Sequence, residues 1–198
     1  MNSYNHKEHE VHTKGTKEIL LYKNPLFFVI FLRSFVVKNE VFFLFLNSHF
    51  IAKMKDKHEK YMQAALEEAK KAFDKDEIPV GAVVVCNETI IAKAHNLTET
   101  LNDPTAHAEM QAITAAANWL GSKYLIDCTI YVTLEPCSMC AGAIGWSQAS
   151  GLVYGASDEQ KGYTKLKGQQ LHPKTKVVSG IMEKKCKDLM VKFFKKKR

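Results

Sequence analysis

Two thiols and one imidazole stand at positions that suit a metal ion. Cys137 and Cys140 are three residues apart in Pro136-Cys137-Ser138-Met139-Cys140, and His107 lies upstream in Thr105-Ala106-His107-Ala108-Glu109. At i and i+3 of a helical turn, both sulfurs project on one face. A helix N-terminus carries partial positive charge, which lowers a thiol pKa and favours the thiolate that a metal needs. One imidazole and two thiolates are zinc-type donors. Three protein ligands leave a fourth position open, as catalytic zinc sites do and closed structural sites do not. Zinc lowers the pKa of its water to about 7. Glu109, two residues after His107, is then the carboxylate placed to take a proton from that water and return it elsewhere. A lone His-x-Glu arises by chance on any helix; together with Pro-Cys-x-x-Cys it is specific.

These side chains need elements to hold them. Apolar residues at 61, 62, 65, 66, 69, 72 and 73 form a helical stripe. Val80 to Cys86 is a continuous apolar run of strand type, and Asn87-Glu88 is a turn into a second strand, Thr89 to Ala94. Ala106 to Leu120 is Ala-rich and helical, opened by Asp103-Pro104-Thr105 and closed at Gly121. Thr129 to Thr133 is a strand. Pro136 suits the first turn of a helix running to about Ser147. Short strands at 152–154 and 176–178 and a helix from Glu183 to Phe194 complete the chain. Strands alternating with helices predict an α/β layered domain, its sheet mixed because the first two strands form a hairpin.

The chain has 198 residues, 46% hydrophobic and 25% charged, with five cysteines and a formal net charge of +7. That composition excludes collagen-like, disulfide-framework and wholly disordered classes. The Cys-x-x-Cys pair fits metal binding in a reducing compartment, and the basic balance favours a polyanionic partner. Residues 1–53 are different material, rich in Phe and nearly free of Ala. Their apolar runs, Leu26 to Leu32 and Val41 to Leu46, fall far short of the roughly 20 residues of a membrane-spanning helix. Met54-Lys55-Asp56 reads like a natural start. Residues 1–53 are therefore expected to be an atypical extension, disordered or the product of an over-extended start, with a membrane-associating segment as the alternative. Residues 54–198 are expected to form the working domain.

His-x-Glu followed by Pro-Cys-x-x-Cys is the signature of zinc nucleobase deaminases. Over residues 57–195 the chain resembles the cytidine-deaminase-like superfamily and looks like its branch of bacterial tRNA-specific adenosine deaminases. The resemblance rests on Ile78-Pro79-Val80-Gly81-Ala82, His95-Asn96, 103–109, Leu125-Ile126-Asp127, 131–143 and 154–158. It implies a three-layer α/β/α fold with a mixed sheet of about five strands. It implies that His107, Cys137 and Cys140 hold one zinc ion per chain and that Glu109 is the catalytic proton shuttle. Asn96 matches a residue that contacts the target nucleotide, Val80 and Ala82 match the floor of the base pocket, and Asp158 lies near the substrate strand. The Glu135-Pro136 turn would help orient the ligands. The implied reaction is hydrolytic deamination of adenosine to inosine at the wobble position of a tRNA anticodon. Zinc-activated hydroxide would attack C6 while Glu109 moves protons. The implied enzyme is a cytoplasmic homodimer that binds the anticodon stem-loop and no membrane. Gly145 departs from the family pattern, and a glycine inside a helix costs about 1 kcal/mol.

Guanine deaminases share the tight Cys-x-x-Cys, so deamination of guanine or another small nucleobase is the alternative substrate reading. A non-catalytic zinc module is disfavoured by Glu109, which a purely structural site does not need. Cys86, Cys128 and Cys186 read as small buried hydrophobes, and His58, His95 and His172 as surface or loop residues. Lys195-Lys196-Lys197-Arg198 is either a solvated end or a contact for RNA phosphates.

Overall fold

A computed structural model describes residues 55–198; the predicted extension over 1–53 lies outside them. Helix α1 covers 55–74, and the apolar stripe read from sequence is its buried face: Tyr61, Met62, Ala65, Leu66, Ala69 and Ala72. Strands β1 (Gly81–Cys86) and β2 (Thr89–His95) form the expected hairpin. Its turn residues, Asn87 and Glu88, both have positive φ, at 46° and 63°, the backbone of a two-residue turn whose twist matches paired strands. Helix α2 (Ala108–Leu120), β3 (Cys128–Leu134), α3 (Ser138–Trp146), β4 (Gly151–Ala156), β5 (Lys176–Val178) and α4 (Glu183–Lys196) follow.

The sheet runs β2-β1-β3-β4-β5. β1 is antiparallel to β2 and β3, whereas β3, β4 and β5 are parallel. The three-layer α/β/α architecture with a five-stranded mixed sheet is therefore present. Alternation along the strands builds a core on each face. Ala82, Val84, Ile130, Val132 and Leu152 meet the Ala108, Ala112 and Ala116 stripe of α2 and Ile144 of α3. Val83, Val85, Tyr131 and Val153 meet α1 and Cys186 of α4. Among the described residues no helix is long and apolar enough to cross a membrane.

Two helix starts differ from the sequence expectation. α2 begins at Ala108 with His107 as N-cap, not at Ala106. The Asp103 carboxylate accepts hydrogen bonds from the Thr105 N–H and hydroxyl, and the Asp103 carbonyl accepts from the Ala106 N–H. That turn holds 103–106 out of the helix. α3 begins at Ser138 with Cys137 as N-cap, so Pro136 precedes the helix instead of sitting in its first turn. Gly121 is the C-cap of α2 as predicted.

Two glycines permit close approaches. A Cβ on Gly145 would lie 2.5 Å from the Gln170 carbonyl oxygen, so this helical glycine makes room for the 170–172 segment against α3. A Cβ on Gly81 would lie 2.1 Å from the Ala65 oxygen and 2.3 Å from the Ala69 nitrogen. Helix α1 thus crosses β1 backbone on backbone at the strand's first residue, and neither partner can rotate away. Gly81→Ala is expected to cost about 3 kcal/mol through overpacking, seen as a melting temperature lower by several degrees in calorimetry; an unchanged melting temperature would refute this contact.

Candidate active site

The N-termini of α2 and α3 converge. His107 caps the first with φ −68°, ψ 155°, and Cys137 caps the second with φ −72°, ψ 175°. Neither side chain makes the usual capping hydrogen bond to its own helix. Extended backbone at the cap turns each side chain off the helix and toward the other. Cys140, in the first turn of α3, is buried and completes the group. The i, i+3 relation expected on one helical face becomes a cap and a first-turn residue, and the sulfurs still meet the same imidazole.

His107 Nδ1 lies 3.7 Å from Cys137 Sγ and 3.5 Å from Cys140 Sγ, and all three donor atoms lie within 4.8 Å of one another. A tetrahedral zinc with Zn–S of about 2.3 Å and Zn–N of about 2.0–2.1 Å requires S···N separations of about 3.5–3.6 Å. The three residues fit that ion as they stand. Their protons are shared unequally, and binding the ion would release those that Cys140 and His107 retain. The Cys137 thiol is drawn down to about 4 because Cys140 and His107 hydrogen-bond to it. Cys140, hydrogen-bonded to Cys137 and buried, is pushed up. His107 is raised by its bond to Cys137. Both sulfurs also face the positive ends of two helices.

Glu109 sits in the first turn of α2, almost fully buried. Burial pushes its carboxyl up to about 6, close to the working range of a group that must both accept and release a proton. Glu109, His107 and Cys137 line a cavity of about 480 Å³ with Val80, Asn96 and Asp158. It opens beyond the carboxyl ends of the parallel strands β3 and β4, the usual position for a site in an α/β sheet. Ala82 is not among its lining residues. It is fully buried in β1, paired with Ala94 and Val132, and packs in the layer beneath α2. Val80, just ahead of β1, packs in that same layer but reaches the cavity wall, whereas Ala82, two residues further into the strand, lies wholly within the core. Asp158 lines the cavity, but its Oδ1 accepts the Gln160 and Lys161 N–H groups and so shapes the loop.

Two buried carboxylates brace the site. Glu135 accepts hydrogen bonds from the Asp158 N–H, the Thr164 N–H and the Thr164 hydroxyl. It ties the loop after β4 to the turn that carries Cys137. The sequence suggested an orienting part for this turn but not the loop it holds. Glu77, fully buried, is absent from the sequence reading altogether. Burial raises its pKa, but donors from Thr100, Glu99 and Thr98 outweigh burial and hold it below its ordinary value. No motif marks it, since a charged residue ahead of an apolar strand ordinarily reads as solvated. The α4 wall, with Lys187, Met190 and Phe194, was likewise missed, because that helix lies far along the chain from either metal motif.

Other expectations change. His95 is half-buried, its Nδ1 3.1 Å from Glu68 Oε2, and His58 meets the Tyr131 hydroxyl at 3.0 Å; neither is a free surface residue. In the basic tail, Lys197 bonds to Asp76 and Lys196 lies 3.6 Å from it. Both lysines also lie over phenylalanine rings, Lys196 over Phe73 and Lys197 over Phe193. The tail is therefore docked on its own domain.

The sequence model for the cytidine and deoxycytidylate deaminase zinc-binding region matches residues 55–156. The chain is 45% identical over 145 residues to a tRNA-specific adenosine deaminase of Bacillus subtilis, covering 71% of this chain and 90% of that one. It is 43% identical to the tRNA-specific adenosine deaminase of Aquifex aeolicus, covering 71% and 95%. A solved structure from work on A-to-I editing by tRNA:A34 deaminases at the wobble position of transfer RNA superposes with a TM-score of 0.63 at 39% identity, covering 66% of this chain and 98% of that one. A guanine deaminase from Nitrosomonas europaea superposes with a TM-score of 0.58 at 23% identity, a likeness of fold alone.

Removing one sulfur leaves two donors for the ion, and binding energy spread over two helices is also folding energy. Cys137→Ala and Cys140→Ala are each expected to purify with far less zinc than the parent and to melt earlier. Elemental analysis that finds undiminished zinc in either variant would overturn the ligand set.

Proposed function

Since the chain belongs to the cytidine and deoxycytidylate deaminase zinc-binding family, we propose that it converts adenosine to inosine at the wobble position of a tRNA anticodon. The observation that carries this reading is one cavity that joins the His107, Cys137 and Cys140 cluster to the buried Glu109. The substrate follows the relatives, which are named tRNA-specific adenosine deaminases and align over about nine-tenths of their length.

In this reading His107, Cys137 and Cys140 hold zinc, which when bound supplies a nucleophilic oxygen at neutral pH by acidifying water. Water adds at C6 of adenine and ammonia leaves, giving inosine. Glu109 takes one proton of the attacking water and delivers it to N1, then takes the remaining proton from the oxygen added at C6 and passes it to the amine, which leaves as ammonia. Its burial keeps bulk water from that transfer. Val80 offers an apolar wall to the base, Asn96 an amide to the nucleotide, and Asp158 shapes the loop beside the substrate strand. Lys187 and Lys161 at the cavity suit a polyanion.

The working protein in this proposal is a cytoplasmic homodimer formed by residues 54–198, and the anticodon stem-loop touches both subunits. Trp119 on α2 and Trp146 on α3 are 63% and 86% exposed. Large aromatics so placed favour a covered surface. A monomer in sedimentation equilibrium would count against the dimer.

The chain and a fragment beginning at residue 54 are incubated separately with an anticodon stem-loop RNA and with free guanine, and inosine and xanthine are scored. Both proteins are expected to form inosine at similar rates, and neither to form xanthine. Xanthine without inosine would transfer the assignment to the small-nucleobase branch, and an inactive fragment would reject the domain boundary. Glu109→Ala should retain zinc and lose turnover by at least the hundredfold to ten-thousandfold typical of a general acid–base group; near-parental turnover would reject the shuttle.

A further inference from the structure

Glu77 carries no role in the chemistry above, yet it is the most heavily solvated carboxylate of the domain interior, and the protein does the solvating. Its Oε1 accepts the Thr100 N–H at 2.7 Å. Its Oε2 accepts Asn96 Nδ2 at 3.0 Å, the Thr98 hydroxyl at 3.2 Å and the Glu99 N–H at 3.2 Å. Four donors on one fully buried side chain fix both of its oxygens. An ionised carboxylate can only accept, so the amide nitrogen of Asn96 has to face it.

The rest of the amide follows. Asn96 Nδ2 also donates to Thr98 Oγ1 at 2.9 Å, and the Thr98 hydroxyl has its own proton on Glu77. An amide nitrogen has two protons, and both are spent inside the protein. The main chain of Asn96 is held as well, its N–H donating to the Val80 carbonyl at 3.0 Å. Asn96 is nearly buried but lines the cavity with His107 and Glu109. The amide atom left for the cavity is therefore Oδ1, an acceptor.

We propose that Glu77 is a positioning residue that fixes the polarity of the Asn96 carboxamide, so that Asn96 meets the target nucleoside as a hydrogen-bond acceptor. This rests on the tRNA adenosine deaminase reading. The ring nitrogens N1, N3 and N7 of adenine are acceptors and cannot pair with Oδ1. The donors of an adenosine within an RNA strand are its ribose 2′-hydroxyl and its exocyclic amino group. The arrangement thus selects a nucleoside that offers an O–H or N–H at this wall of the cavity.

Glu77→Gln tests the idea with little change of volume. Two main-chain donors compete for its single oxygen; held by the shorter contact, the Thr100 N–H at 2.7 Å against 3.2 Å for the Glu99 N–H, it turns the new amide nitrogen toward Asn96. Asn96 then has to flip and present Nδ2 to the cavity. Adding Asn96→Asp to Glu77→Gln restores an acceptor there, because a carboxylate at position 96 accepts from the new amide with one oxygen and offers the other to the substrate.

Steady-state inosine formation is measured for the zinc-loaded parent, E77Q and E77Q/N96D. The substrates are stem-loops with adenosine or 2′-deoxyadenosine at the target position, with zinc content and melting temperature recorded for each protein. E77Q is expected to raise KM for the ribose substrate about tenfold, with kcat within about threefold and zinc unchanged. A factor of ten is the size of one hydrogen bond, about 1.4 kcal/mol. E77Q/N96D is expected to recover most of that loss. If the 2′-hydroxyl is the donor, the deoxy substrate costs the parent about tenfold and E77Q almost nothing further; if the amino group is the donor, E77Q loses equally on both substrates. An E77Q enzyme with parental KM on both substrates, or a double variant no better than E77Q, would overturn the proposal. An E77Q protein that loses zinc and melts early, with kcat falling alongside KM and no recovery in the double variant, would make Glu77 a structural residue only. A parent that forms no inosine on either RNA would instead defeat the functional reading.

Discussion

Two helix N-termini meeting at one point is an electrostatic problem before it is an active site. Each brings roughly half a positive charge and a set of backbone N–H groups without helical partners, and two such ends repel. The chain answers with acidic groups at the meeting point: Cys137 as a cap, Cys140 in the first turn of α3 and Glu109 in the first turn of α2. The neighbours gathered there, Cys140 and then His107, hydrogen-bond to Cys137 and draw its thiol down to about 4. Residues that would ordinarily spend a Ser, Asn or Asp side chain on capping here spend His107 and Cys137 on each other. The metal-ligating geometry and the electrostatic stability of the α2/α3 junction are therefore one feature, and loss of either sulfur is felt by both.

The rim of the cavity depends on a second device, the buried carboxylate that organises loops. Glu77 gathers the 96–100 segment and Glu135 gathers 158–164, each through backbone N–H and hydroxyl donors and without a basic partner among the contacts described above. A loop cannot be buried with its N–H groups unpaired, and a carboxylate offers several acceptor sites at one place. The cost of taking a charge out of water is offset because the loops need those acceptors. Both loops reach the cavity, Asn96 from the first and Asp158 from the second. Substrate-facing positions are thus set from behind, by residues that do not themselves line the site in the case of Glu77.

What the sequence could show divides along this line. The metal group was legible because its donors fall in two short motifs whose spacing is dictated by one helical turn. The strands were legible because each is a compact apolar run, and the Asn87-Glu88 turn and the Gly121 cap were legible from local backbone chemistry. The helix starts were misjudged by about two residues, since Asp103 and Pro136 look like helix openers while the hydrogen bonds that delay the helices are local side-chain choices. A resemblance carries the segment from Val80 to Ala82 whole, whereas only Val80, at the end of the layer, reaches the cavity and Ala82 is enclosed by its sheet neighbours. Glu77, Glu135 and the α4 wall act through partners distant in sequence, and nothing in the residue types reports such pairings. The glycine at 145, a departure on paper, follows from the 170–172 segment, which passes where a side chain would be.

The docked tail bears on how an enzyme of this charge could still grip RNA. Asp76 sits at the end of the turn leading into Glu77, with φ of 64°. It holds Lys196 and Lys197, and its carboxyl is lowered first by the Lys197 hydrogen bond. These pairs are exposed, so they contribute little to stability and are screened by salt. A phosphate arriving at the tail can take over either lysine at small expense, and release of the counterions it carries supplies the driving force. The pairing therefore does not withdraw the lysines from a polyanion. It gives them a defined place in its absence, close to Phe193 and Phe194 and to the mouth of the cavity that Phe194 lines. A free tail would have to be ordered when RNA binds, at an entropic cost for each residue; a tail already docked by Asp76 and the Phe73 ring has met much of that cost on folding.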